Sequence, residues 1–263
     1  MILRLAKRSY VALLLLFLYA PILTLIIFSF NDSKSRAKWE GFTLKWYENM
    51  LADPVIAKSL YYTLLIAFAA AIISTLIGTL AAIGMHYMKK IPKRFLLNVT
   101  YLPVLNPDIV TGIALMLFFI LLQIKLGFTS LLLAHVTFCI PYVILSVLPK
   151  LRQLSPHTYE ASLDLGATPL QALTKVIIPE ISPSIVTGFL LALTLSLDDF
   201  VISYFTSGNG VSNLSITIFT MTKRGIKPEI NALSTVLFVS ILILLLLINR
   251  RSDKKTERNR EAV

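Results

Sequence analysis

Asp108, Asp198 and Asp199 lie inside long apolar runs, and Ser196 stands three residues before Asp199. A carboxylate deep in a membrane span costs at least about 2.5 kcal/mol on insertion scales, so such groups are retained where they face a cavity or a partner. Neither run, 95–122 or 185–205, contains a lysine or arginine that could neutralise them. At helical spacing Ser196 and Asp199 share a face, with Asp198 turned about 100° away. Counted from expected cytoplasmic edges near Phe95 and Ser184, Asp108 lies 13 residues and Asp198 14 residues along. Both would sit about 20 Å deep at about 1.5 Å per residue. Carboxylates at one level can make charge-assisted hydrogen bonds to several ammonium groups. Trp46 and Tyr204 could add ring faces, each contact worth about 0.5 to 2 kcal/mol. Structural roles are also open. Asp108 follows Asn106-Pro107, which has the form of a cap and first helical residue, so it could serve the helix dipole. Asp198 and Asp199 could pair with a basic residue of another subunit, and Trp39, Trp46 and Tyr47 could form an interfacial aromatic belt.

The elements that must carry these residues are membrane spans. Hydrophobic residues make up 56% and charged residues 15% of the 263, against roughly 45 to 50% and about 25% in soluble domains. Six stretches are long enough to cross a bilayer: 10–30, 60–86, 95–122, 129–148, 185–205 and 232–248. The first follows Arg4, Lys7 and Arg8 as a signal would, but its apolar run is too long and no small-residue cleavage site follows, so it is expected to remain an anchor. Pro103, Asn106-Pro107 and Pro141 predict breaks in the third and fourth spans, of the kind that line transport paths. The net charge is +11, yet 16 of the 25 basic residues fall in segments that are cytoplasmic if the N-terminus is, with four between Lys89 and Arg94. That bias predicts both termini in the cytoplasm and a lipid-facing basic tail, with no nucleic-acid partner. His135 and Cys139 are four apart, too few ligands for a zinc site, and a packing or polar role is expected; no metal site is predicted. Glu229 follows Pro228 and reads as a dipole-stabilising acid. No HExxH, GxSxG or GxxxxGK[ST] motif occurs, so no zinc protease, elbow hydrolase or ATPase of those types is encoded. In the external loop 31–59, Thr43 could cap a short helix with Tyr47, Met50 and Leu51 on its apolar side. That loop is too small for a substrate-capturing domain, so capture falls to a separate protein.

The longest expected cytoplasmic segment, 150–180, carries two helix starts, Ser155-Pro156 and Thr168-Pro169, separated by Gly166. Tyr159 and Leu163 give the first helix an apolar stripe beside the charged stripe of Glu160 and Asp164. Pro179 is expected to end the second helix or to kink it. Such a pair of helices either docks on another protein or packs back on its own bundle.

Glu160-Ala161-Ser162, Gly166, Val176 and Ile178-Pro179 resemble, in order and spacing, the EAA loop of ABC importer permeases, with Ser162, Val176 and Ile178 as conservative departures. The run 41–47, Asn106-Pro107-Asp108-Ile109-Val110 and Ser196-Leu197-Asp198-Asp199 are similar to the polyamine, spermidine/putrescine branch of that family, over the whole chain. The resemblance implies an all-α membrane protein, one permease domain 1–263, with six transmembrane helices in the MetI-like type I importer fold. It implies that Tyr159, Glu160, Ala161, Asp164 and Gly166 engage ABC ATPase subunits and that Asp108, Ser196, Asp198, Asp199, Trp46 and Tyr204 meet the substrate. ATP and magnesium would be held by the ATPase, and this chain would bind no cofactor and catalyse no covalent reaction. A second related permease, an external polyamine-binding protein and the lipid of a bacterial inner membrane complete the implied partners. An ion-driven secondary transporter, an intramembrane enzyme with Asp108 and Asp198 as an acid pair, and an importer of another cationic solute are the alternatives.

Overall fold

The computed structural model describes residues 2–33, 38–155, 157–223, 228–240 and 242. Pro156, the basic tail and the end of the expected sixth span lie outside them. The chain divides into two units, the segments 1–57 with 218–263 first and 58–217 second. Among the described residues, four helices are long and apolar enough to cross a membrane, or five if one bent pair is a single span.

In the first unit, α1 (Ile2–Ser29) passes through Pro21 without ending and exposes most of its apolar side chains between Tyr10 and Leu23. It leads into a loop organised by Asn31, whose side chain donates to the Lys38 carbonyl (2.8 Å) and accepts from the Glu40 amide (2.9 Å). The next helix, α2 (Lys45–Ala52), starts one residue later than a Thr43 cap would place it. Leu44 is the capping residue, and the Thr43 hydroxyl accepts from the Lys45 amide at 3.2 Å. Its buried side is Trp46 and Met50, one turn apart, whereas Leu51 is exposed. Residues 228–240 are helical; Glu229 lies in this stretch with Oε2 buried and without a hydrogen-bond partner.

The span α3 (Pro54–Tyr87) begins at a proline directly after Asp53, whose carboxylate accepts the Val55 amide at 2.8 Å. Proline at a first helical position gives up no bond, because the early amides have no partner within the helix. Next, α4 (Lys90–Leu105) and α5 (Asp108–Leu121) are separated by a bend of 107°, so 95–122 is not one straight span. Pro107 disfavours helical geometry at Asn106, which is extended with ψ 143°. Pro107 is itself the cap, and Asp108 is the first residue of α5 instead of the second.

Three other expected breaks are absent. The helix α4 runs through Pro103, and α6 (Phe128–Gln153) runs through Pro141 and Pro149. At Pro179 the chain continues because residues Leu173–Ile177 form a π turn leading into α9 (Ile178–Asp198). A proline ring clashes with the carbonyl four residues back, here Lys175, and widening that turn accommodates it. Together with α8 (Pro169–Ala172) this makes one span from Pro169 to Asp198, 30 residues long. The core of the second unit lies where α6 meets α9, with Cys139, Val143 and Val147 buried together with Ile181 and Ala192. The Cys139 thiol and Ser146 hydroxyl donate across that contact to the Ala192 and Ser184 carbonyls, at 3.5 and 3.1 Å.

Candidate functional site

The expected fifth span, 185–205, breaks at its acids. After α9 stops at Asp198, Asp199 is extended (ψ 126°) and a short helix, α10 (Val201–Thr206), begins. Asp199 caps that helix. Its Oδ1 accepts the Ile202 amide at 3.2 Å and its Oδ2 the Ser203 amide at 2.7 Å, which satisfies amides that α10 itself cannot. The carboxylate side chain is 8% exposed and lies 3.6 Å from Nε2 of His135 on α6. Asp198, next door, is exposed.

His135 is buried, and both its nitrogens are engaged, with Nδ1 2.6 Å from the Ser196 hydroxyl and Nε2 2.9 Å from the Ser203 hydroxyl. From beyond α10, Asn213 donates to the Ser203 hydroxyl (2.7 Å) and to the Asp199 carbonyl (3.1 Å). Ser196 and Asp199 both approach His135, although the helix expected to carry them on one face ends at Asp198. Within its own chain, Asp199 lies beside this imidazole. His135 has the expected polar role, but its centrality, with Ser203 and Asn213, is not read from the sequence. Local spacing does not announce it, because α9 ends between Ser196 and Ser203 and the two hydroxyls sit on different helices.

Asp108 is exposed at the start of α5 and within electrostatic reach of the Tyr142 phenol. One turn on, Gly112 abuts α10. A methyl group there would lie 3.0 Å from the Phe205 ring and 3.4 Å from the Ile202 backbone. Residues i and i+4 share a helix face, so the turn bearing Asp108 looks along the contact that α5 makes with α10. Tyr204, 51% exposed, leans on Phe200 and Phe205 with ring centroids 5.6 Å away in each case. Trp46 is different. It is 3% exposed, its indole donates to the Asn31 carbonyl at 2.7 Å, and the Lys45 ammonium stands 4.6 Å from its ring. In this structure it anchors the loop, and a cation of its own chain occupies its ring face.

At the other end of the span, α7 (His157–Asp164) and α8 meet at a tight corner. Gly166 has φ +87°, and its amide and that of Ala167 bond back to the Leu163 and Ser162 carbonyls at 2.9 and 3.1 Å. That pattern is a Schellman close, and the left-handed φ is where glycine avoids a steric penalty. Thr168 and Gln171 then form a reciprocal capping box (3.3 and 3.0 Å). Tyr159 and Leu163 are half-buried, with the Tyr159 ring 5.6 Å from Tyr87. Glu160, Ala161, Asp164 and Gly166 are exposed, Glu160 beside His157 at 3.3 Å. Leu165 and Leu170 are 89% and 69% exposed.

A family model described as "Binding-protein-dependent transport system inner membrane component" matches residues 74–258. The chain belongs to that family. It is therefore a membrane transport component. Among its relatives, the spermidine/putrescine transport system permease protein PotC of Escherichia coli K12 is 37% identical over 259 residues, covering 98% of each chain. The putrescine transport system permease protein PotI of the same organism is 39% identical over 236 residues, covering 87% of this chain and 84% of its own. A bacterial ABC transporter that imports the polysaccharide alginate has the same fold, with a TM-score of 0.76 at 14% identity over 95% of this chain and 96% of its own.

Proposed function

We propose that this chain is a permease subunit of an ATP-driven importer that carries polyamines such as spermidine and putrescine into the cytoplasm. The observation that carries the reading is a pair of helix breaks whose following helices, α5 and α10, pack against each other. Each exposes a carboxylate, Asp108 or Asp198, and α5 closes on α10 between them at Gly112. A polyamine is a flexible methylene chain with separated ammonium groups. It fits carboxylates on different elements with an aromatic wall, here Tyr204, along the stem. In this reading Asp108 and Asp198 contact the substrate, Asp199 and Ser196 fix the corner that presents Asp198, and Trp46 holds the external loop in place. The kinship with permeases named for spermidine and putrescine supports the same substrate class.

The exposed corner of Glu160, Ala161, Asp164, Leu165 and Gly166 is the docking face for an ATPase subunit. The buried contacts of Tyr159 carry its movement into the bundle, with ATP and magnesium held by the ATPase. A second permease supplies the rest of the pathway and an external binding protein delivers the substrate. Six spans in a bacterial inner membrane with both termini cytoplasmic complete the proposal. The deciding experiment is uptake of labelled spermidine into proteoliposomes containing the assembled complex. Uptake is expected only with ATP inside the compartment that holds the ATPase. Uptake driven by an ion gradient without ATPase would favour a secondary transporter, and import of a monovalent solute in preference to polyamines would overturn the substrate.

A further inference from the structure

The α9–α10 corner is held by a set of donors and acceptors around His135. The Ser203 hydroxyl receives a hydrogen from Asn213 at 2.7 Å and lies 2.9 Å from Nε2 of His135. The same nitrogen faces Asp199 Oδ2, 3.6 Å away, and a carboxylate accepts hydrogen bonds, so a hydrogen on Nε2 suits this side of the ring. Nδ1, left as the acceptor, takes the Ser196 hydroxyl proton at 2.6 Å. The opposite tautomer would turn a nitrogen lone pair toward a carboxylate, which is costly in a buried site.

We propose that His135, as its Nε2–H tautomer, is the positioning residue that turns Asp199 inward as the cap of α10 and thereby leaves Asp198 facing the substrate. The inference rests on the polyamine reading of Asp198. It assigns the two adjacent acids different work, Asp199 within the scaffold and Asp198 toward the cargo. Three facts converge on it: the break of the chain between the two acids, the near-complete burial of His135 at 1%, and the engagement of both ring nitrogens by residues of α9 and α10. No other described histidine bridges elements in this way; His157 pairs only with Glu160, three residues away on its own helix.

The chain has three histidines, so nitrogen-15 labelling of that residue type in the assembled complex gives three imidazoles, and the His135 signals are identified by their loss in His135→Gln. A ring carrying its hydrogen on Nε2, with Nδ1 bare, is expected. Spermidine uptake is measured in parallel for His135→Gln, whose amide reaches the Nε2 position, and His135→Asn, whose amide reaches only Nδ1. The glutamine variant is expected to stay within a few-fold of wild type, and the asparagine variant to lose about tenfold or more. A ring protonated at Nδ1, or an asparagine variant that transports at least as well as the glutamine variant, overturns the proposal. A wild-type complex that imports no spermidine would instead overturn the polyamine reading, and the nitrogen shifts would still decide the tautomer.

Discussion

The span from Pro169 to Asp198 ends in two contrasting corners, about 45 Å apart at helical rise. Its first corner is closed by local backbone bonds around Gly166 and by the Thr168 box, and it leaves Glu160, Asp164, Leu165 and Leu170 uncovered. Its far corner is closed by side chains from distant places in the sequence, with Ser196 and Ser203 on the two ring nitrogens of His135 and Asn213 on the Ser203 hydroxyl and the Asp199 carbonyl. A docking surface needs a stable shape that does not consume its exposed groups, which backbone caps provide. An acid proposed to meet a cargo needs its neighbour hydrogen-bonded and held still, which a buried network provides. In the proposed importer, the span between them carries an event at one corner to the other.

The largest expected effect breaks the far corner at its exposed acid. Asp198→Asn keeps size and hydrogen-bonding capacity but loses the charge, so affinity for the translocation site should fall roughly 30- to 150-fold. Binding of polyamine to the external capture protein should be unchanged. Equal uptake by mutant and wild type across substrate concentrations would show that Asp198 does not meet the cargo. Gly166→Pro tests the near corner, since proline cannot adopt φ +87°. Complex abundance should be near normal while spermidine imported per ATP hydrolysed falls about tenfold; an unchanged ratio would remove the coupling role.

Asp199 sharpens the contrast between adjacent acids. Asp199→Ala removes a cap and should cost about 1 to 2 kcal/mol of stability, seen as earlier thermal unfolding of the complex. Asp199→Asn, which retains capping ability, should unfold close to wild type. If the two substitutions are equally destabilising, charge and not capping is what Asp199 contributes. The smallest effect is expected for Thr168→Ala, about 0.5 to 1 kcal/mol from loss of an exposed box, with uptake nearly preserved. A loss as large as that of Gly166→Pro would mean that the corner depends on its second cap more than on its glycine.

The same contrast explains what the sequence disclosed. The near corner is written in contiguous residues, Thr168-Pro169 and a glycine after a polar helix, so its caps and turn are legible. The break at Asn106-Pro107 is legible for the same reason, because proline acts on its immediate neighbours. Pro103 and Pro141 mislead, since the helices run through them. The break after Asp198 is hidden inside an apolar run whose hydropathy does not change, and its cause is an aspartate satisfied by partners up to 64 residues away, at His135. Trp46 shows the converse failure. A loop tryptophan reads as an available ring, and only the fold reveals that Asn31 and Lys45 already engage it.

The most direct test is spermidine uptake and ATP hydrolysis measured together in proteoliposomes carrying the complex with wild-type chain, Asp198→Asn or Gly166→Pro. The wild type should import spermidine only with ATP, Asp198→Asn should lose uptake through weakened substrate binding, and Gly166→Pro should hydrolyse ATP without matching import. Wild-type uptake that proceeds without the ATPase, or both variants importing spermidine with normal yield per ATP, would contradict the account.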